Sequence, residues 1–380
     1  MMIQLLRRSL TGALVGTLLL AALAQAAGPD SRSKSFTVSK GGKFILSTGS
    51  GDVTLKPWDK NELFVRVDGI DPDDIERLEM TQSGNTVTVR FRSSHGSWSD
   101  LRYEVSLPVE FNVELKTAGG DIEITGPMAG TLKGETAGGD IQLSDVKGQI
   151  SFTTAGGDIR TGKIGGDAEL KTAGGDIEVL DASGMVEAAT AGGDIKVGNV
   201  GKSLEAKTSG GDITVGDVGG EAEVSTSGGD IRLGKVSGKA KASTAGGDIE
   251  LRSASGTVSA KTAGGDIKLA GVTGSVEAKT AGGDIRAELN PSGRGSSQLK
   301  TAGGEIVLEI PATAKATIEA VIEVDERWND KNKYEVRSEF KADSYDTKDD
   351  YIRAKYTLNG GGETIYLETV NSNITLKKSR

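Results

Sequence analysis

Acidic side chains recur at nearly constant spacing through the middle of this chain: Asp121, Asp140, Asp158, Asp176, Asp194, Asp212, Asp230, Asp248, Asp266, Asp284 and then Glu305. Each follows Thr-(Ala/Ser)-Gly-Gly and precedes Ile; the first step is 19 residues, the next eight are 18 and the last is 21. If successive units stack as neighbouring strands, the carboxylates stand about 4.8 Å apart, a spacing at which like charges repel unless compensated. Two chemistries would compensate them. In the first, each Asp accepts hydrogen bonds from N–H groups of the Gly-Gly corner, with Lys171, Lys207, Lys261 and Lys279 as countercharge. In the second, Ca²⁺ sits between successive carboxylates. Calcium-binding β-roll repeats use a nine-residue G-G-x-G-x-D unit, whereas this chain has one Asp per 18 residues without that spacing. The turn chemistry is the better reading, so no metal or cofactor is assigned.

The threonines form a second column, from Thr117 through Thr208 to Thr301. They fall in phase with the apolar positions, which reads as a buried hydroxyl ladder at a corner. A flat ice-binding array needs paired outward threonines, yet the residue two before Thr is usually Ala, as at Ala206, Ala260 and Ala278. His95 is the single histidine and the chain has no cysteine, so neither a His-rich zinc site nor a Cys–His dyad can be assembled. It reads as a surface-loop residue. Pairs such as Glu123 and Asp145 read as ordinary exposed charges. The Gly-Gly pairs punctuate turns and open no helix, so they are not phosphate loops. No catalytic residue is assigned, and the chain reads as a non-enzyme.

The elements that position these columns follow from periodicity. After Asp266, Ile267 and Leu269 alternate with polar residues; after Gly274, so do Val276, Ala278 and Thr280. Period-2 alternation marks two short half-buried strands per repeat, and glycine recurs too often for helix interiors. A fixed period with identical residues one unit apart signals coils stacked in parallel register. One coil cannot bury enough apolar surface to fold alone, so stability comes from neighbours. A left-handed hexapeptide helix needs an aliphatic residue every sixth position, but Ser183 follows Ile177 and Ser255 follows Ile249 at that distance. Right-handed crossover is the default for parallel strands. The expected fold is all-β: a single-stranded parallel β-solenoid, or right-handed β-helix, with aromatic-rich capping ends.

In chain order, Arg7 and Arg8 precede the apolar run Leu10–Leu23, and Ala24-Gln25-Ala26 forms an A-x-A site. Residues 1–26 therefore read as a secretory signal peptide cleaved after Ala26, with no later transmembrane segment. Removing its two arginines takes the net charge from −9 to −11, which disfavours nucleic acid and anionic lipid. Residues 27–116 hold Phe36, Phe44, Trp58, Phe64, Phe91, Trp98, Tyr103 and Phe111. They read as longer first coils and a cap, with repeat variants at Ser47–Val53 and, more weakly, Thr81–Asn85. Asp71-Pro72 would start a short helix through Met80. Residues 117–306 are the regular body, with Phe152 as its only aromatic. Residues 307–380 are C-terminal coils and cap: Thr369 stands four before Asn373, as Thr262 does before Asp266, so the last coil resumes after a long excursion.

This pattern resembles a family of bacterial envelope proteins called putative adhesins, including LiaG-like domains of unknown function. The matching elements are Val105-Ser106-Leu107-Pro108-Val109, Thr117–Ile122 and Thr369–Ile374. The resemblance implies a single-stranded right-handed β-helix outside the cytoplasm, and no catalytic residues. The chain is thus expected to be a secreted or periplasmic cell-envelope structural or binding protein, loosely an adhesin. An envelope or extracellular polysaccharide or protein is the expected partner class. The contact surface would be the ladder faces carrying Arg160, Glu178, Lys196, Arg232, Glu250 and Lys268. The alternatives are a polysaccharide-active β-helix enzyme, with its site in 56–105 or 325–357, and a calcium-stabilised envelope protein.

Overall fold

The computed structural model describes residues 31–92, 101–293, 295–325 and 333–379. His95, Trp98, Trp328 and the signal-peptide segment lie outside these residues.

Each body coil contributes one strand to each of two long parallel sheets. In the coil that starts at Asp176, the strands are Ile177–Ala182 in sheet 1 and Val186–Ala189 in sheet 2. Both pair in register with the equivalent strands of the coils before and after: Ile177 faces Ile159 and Ile195, and Val186 faces Ala168 and Leu204. The isoleucine column from Ile122 to Ile306 is no more than 1% exposed at any position. Like therefore lies on like, as the period requires.

In many body coils strict alternation breaks once, whereas Ile285–Leu289 and Ile306–Pro311 keep it. In Ile177–Ala182 the buried residues are Ile177, Val179 and Ala182, leaving Leu180 and Asp181 both outward. Two adjacent outward residues bend the strand. In some coils the strand stops at the bend, and the third inward residue returns as an isolated bridge, as in Met128–Val146–Ile164 and Val200–Val218–Val236. The core between the walls is narrow. Phe152 enters it at 1% exposure because Gly134, one coil below, leaves the room: a methyl there would meet the Phe152 ring at 2.4 Å.

The chain ends do not continue the stack in sequence order. Lys43–Thr48 and Asp52–Trp58 form a coil in register with the first body coil, and Val53 faces Ile122. Its other side is covered by Thr86–Phe91 and Arg102–Pro108. The early coil is thus slotted between two later ones. The C-terminal end mirrors this. Glu363–Val370 lies between Ser297–Thr301 and Ala316–Glu323, and Ile374–Ser379 lies between Ile306–Pro311 and Val336–Ser338. The repeat variants at Ser47–Val53 and Thr369–Ile374 are therefore real coils.

Two local expectations fail. Thr81–Asn85 is no coil: Glu79–Ser83 pairs antiparallel with Thr86–Phe91, and Gly84-Asn85 is the hairpin turn between them. The helix expected from Asp71 to Met80 is a 3₁₀ turn, Pro72–Arg77, capped by the Asp71 carboxylate accepting from the Asp73 N–H at 3.0 Å. Leu78 leaves helical geometry and the chain joins the sheet edge, so strand pairing overrides the capping signal. Antiparallel strands lie at the ends, Ser31–Thr37 and Glu79–Ser83 at one and Ser344–Thr347 on sheet 2 at the other, where sheet 1 ends on the parallel strand Val336–Ser338. At the N-terminal end, side chains tie the two sheets together. The Lys34 ammonium donates to the Met80 carbonyl at 2.9 Å, and the Gln82 amide donates to the Thr37 carbonyl at 2.7 Å.

The two glycines of a corner have different jobs. A Cβ on Gly139 would stand 2.2 Å from the Gly120 carbonyl oxygen one coil below, whereas on Gly138 it would meet nothing closer than 3.8 Å. Gly139→Ala is expected to cost about 1–3 kcal/mol or more through overpacking against backbone. Gly138→Ala should be neutral or stabilise by about 0.4–1 kcal/mol, by restricting the unfolded chain. Paired thermal melts check this; equal effects at the two positions would contradict the close approach.

Candidate functional site

The Thr-(Ala/Ser)-Gly-Gly-Asp corner carries the chain from sheet 2 to sheet 1. Its threonine points inward and is largely buried. The Thr190 hydroxyl donates to the Gly175 carbonyl of the coil below at 2.8 Å and accepts from the Gly193 N–H of its own corner at 3.3 Å. This arrangement recurs up the column and reaches Thr369, whose hydroxyl donates to the Gly304 carbonyl at 2.7 Å. The threonines are a buried ladder, inaccessible to any outside surface.

The aspartates stand in file, but their hydrogen bonds run between coils. The Asp176 carboxylate accepts from the Asp194 N–H at 2.8 Å, and the Asp194 carboxylate accepts from the Asp212 N–H at 2.8 Å. The series begins at Asp52, which accepts from the Asp121 N–H at 3.0 Å, and ends with Asp284 accepting from the Glu305 N–H at 2.8 Å. One oxygen of each carboxylate is thus spent on the backbone of the next coil. Three arginines reach the second oxygen: Arg160 on Asp158 at 2.6 Å, Arg232 on Asp230 at 2.7 Å and Arg286 on Asp284 at 3.0 Å.

The lysines expected to neutralise this column do not. Lys171 pairs with Glu169 at 2.6 Å and Glu187 at 2.9 Å, Lys207 with Glu205, and Lys261 and Lys279 with Glu277 at 3.0 and 2.7 Å. All four lie on the outward face of sheet 2, where the nearest acids are glutamates on the same strand or the adjacent one. Hydrogen bonds from Lys279 and Lys261 hold the Glu277 carboxyl at about 2, against an ordinary 4.5. Such a group stabilises the fold at pH values above 4.5 and loses that contribution as the pH falls through about 2. At 38% exposure the contribution is small.

On sheet 1 the outward column Arg160, Glu178, Lys196, Thr214, Arg232, Glu250, Lys268, Arg286 is in register. Lys196 pairs with Glu178 at 3.0 Å and Lys268 with Glu250 at 2.9 Å. The face is a self-neutralised lattice of mixed charge.

A second ladder runs five residues along from the first. Asp145 accepts from the Lys163 N–H at 2.8 Å, Asp181 from the Asn199 N–H at 2.9 Å, Asn199 from the Asp217 N–H at 3.0 Å and Asp217 from the Lys235 N–H at 2.9 Å. Asp145 is therefore a structural acceptor rather than a plain surface charge, while Glu123 is an exposed strand residue. Asp181, Asn199 and Asp217, with Lys163 and Lys235 at its ends, line an open trough of about 670 Å³. Near the C-terminal end, three turns around Asn290–Gly293, Pro311–Lys315 and Gly361–Glu363 enclose about 570 Å³. Ser183 and Ser237 also line the first hollow, so carboxylates, amines and hydroxyls share it, but in an open trough rather than a walled cleft. No group of three or more His, Asp or Glu among the described residues is placed to hold a metal ion.

A family model described as Toastrack DUF4097 matches residues 39–216 and, overlapping them, 201–324. The chain belongs to the Toastrack family. The matched residues take in the aspartate ladder from Asp52 to Glu305. No curated protein matches the chain. Among solved structures, a "putative adhesin" from Parabacteroides distasonis is similar at 12% identity, with 92% of this chain and 97% of that one covered and a TM-score of 0.29. A "putative adhesin" from Bacteroides fragilis is 11% identical over 92% and 97%, with a TM-score of 0.23. A "putative lipid binding protein" from Parabacteroides distasonis is 13% identical over 93% and 98%, with a TM-score of 0.24.

Two outcomes test the ladder chemistry. Asp194→Ala leaves the Asp212 N–H without an acceptor and should cost about 1–3 kcal/mol, whereas Asp194→Asn keeps an acceptor oxygen and should cost less than about 1 kcal/mol. Because a backbone N–H of the next coil already holds one oxygen of each carboxylate and fixes its position without a cation, a chelator should leave the melting temperature unchanged. A drop of several degrees would restore the calcium ladder.

Proposed function

We propose that this Toastrack protein is exported and acts outside the cytoplasm as a non-catalytic rod, a structural or binding module of the cell envelope. Its long ladder faces meet an envelope or extracellular polysaccharide or protein. The observation that carries this reading is the uniformity of the body. Every coil presents its outward residues in register with the next, so a ligand meets a repeating lattice of paired charges and hydroxyls. Nearly equal coils raise no walls around a cleft, and enclosure is what a small-molecule site requires. A repeating surface suits an extended partner that makes many weak contacts, whose strengths multiply when they are linked. Export rests on the n-region, apolar run and A-x-A site of residues 1–26. No helix among the described residues is long and apolar enough to cross a membrane.

Three measurements test this. The exported protein should begin at Ala27 by N-terminal sequencing and should fractionate outside the cytoplasm; an uncut chain in the cytoplasm contradicts export. A screen against envelope and extracellular glycans should show retention without cleavage, and robust turnover would establish the enzyme reading instead. Reversing Lys196 and Lys268 to Glu should weaken retention on the bound polymer several-fold while the fold is kept. Unchanged retention would remove sheet 1 from the contact.

A further inference from the structure

The two ends of the rod are closed by the same strand arrangement. At the N-terminal end, the hairpin Asp52–Trp58 and Glu62–Asp68 straddles Arg102–Pro108: its first arm pairs parallel on one side and its second antiparallel on the other. At the C-terminal end, the hairpin Tyr351–Leu358 and Glu363–Val370 straddles Ala316–Glu323 in the mirrored order, antiparallel arm first and parallel arm second. In both places the arm nearer the body also pairs with a body coil.

We infer that these two hairpins are clasps that stop the solenoid from fraying, so that the rod opens only by releasing a clasp. In a simple stack each unit touches only its neighbours, so the terminal unit is held by a single interface and is shed first. Here the coil that ends the chain, Glu363–Ser379, has a coil on both sides and must break both interfaces to leave. The outermost coil, Ala316–Glu323 with Val336–Ser338, cannot leave either without breaking its pairing with both arms of the hairpin.

The C-terminal clasp is fixed at its crossing point. The turn from Tyr351–Leu358 to Glu363–Val370 passes beneath the start of Ala316–Glu323. A Cβ on Gly362 would lie 2.2 Å from the Lys315 carbonyl oxygen, so only glycine permits the crossing. Asn359, Gly360 and Gly361 all have positive φ, at 52°, 87° and 83°. The Asn359 side-chain amide donates to the Ala312 carbonyl at 3.0 Å and the Ala314 carbonyl at 2.7 Å. The N-terminal clasp is pinned differently. The Trp58 indole N–H donates to the Glu62 carbonyl at 2.8 Å, and the Val38 N–H donates to the Asn61 carbonyl at 3.2 Å. This device belongs to the fold and stands whether or not the proposed function does.

Hydrogen–deuterium exchange on the intact protein tests the inference. Peptides from 43–58 and 363–379 should be as protected as peptides from the middle of the body, such as 190–207. A gradient, fastest at 363–379 and slowing inward, would overturn it. Asn359→Gly keeps the left-handed turn but removes both side-chain hydrogen bonds. It should speed exchange by about tenfold or more in 316–323 and 351–379 while leaving 43–58 unchanged. Gly362→Val should do the same more severely. Uniform acceleration along the whole rod, or none at the C-terminal end in either variant, would show that the hairpin is not an independent clasp.

Discussion

Everything in this molecule depends on how closely one corner sits on the next. At the second glycine of each corner the backbone of one coil touches the carbonyl of the coil below, leaving no room for a side chain. That contact is what brings the threonine hydroxyl within reach of a glycine carbonyl and the aspartate carboxylate within reach of the next aspartate N–H. Without it, both columns would hold buried or crowded polar groups lacking partners. Such groups are costly when left unsatisfied and cohesive when every member is paired. The threonines hold the inside of the corner and the aspartates the outside, so the coil cannot tilt or slip without breaking both.

The same contact limits what the body can do. Coils fixed at one spacing, with nearly equal loops, produce flat faces and open troughs. Charges on those faces find partners on the same strand or the adjacent one, as Lys171 does with Glu169 and Glu187. Under the proposed function, such a surface would meet something long through many contacts. Irregularity is confined to the ends, where the aromatics gather: Phe44, Tyr103 and Phe111 are fully buried at one end and Tyr356 nearly so at the other. Larger side chains there fill coils that the thin aliphatic core could not close.

The stacking was legible because identical residues one period apart leave a single register in which every Ile meets Ile and every Thr meets Thr. The second ladder leaves a fainter trace: Asp145, Asp181, Asn199 and Asp217 each stand five residues after a member of the first column, but Lys163, Lys235 and Ser253 hold that place in other coils. Parity also sets Lys171 and Lys207 on the strand face of Glu169 and Glu205, away from the aspartate corner. The interleaved ends were not legible. Thr48 shares its column with Thr117, and Thr369 with Thr301, but nothing local marks which strands will be laid between them. Long-range pairing also turned the Asp71–Met80 segment from a helix into a 3₁₀ turn and an edge strand. The period reports neighbours that are copies of one another and is silent about partners of unlike sequence.

The register claim is tested most directly by removing one whole coil. A chain lacking residues 190–207 loses one 18-residue unit and rejoins Ala189 to Thr208, each already in its column. Small-angle scattering combined with a thermal melt should show a cooperative fold whose long dimension is shorter by about 4.8 Å, while deletion of residues 190–198 alone should abolish folding. If the two deletions behaved alike, both folding or both failing, like would not be stacked on like and the account would fail.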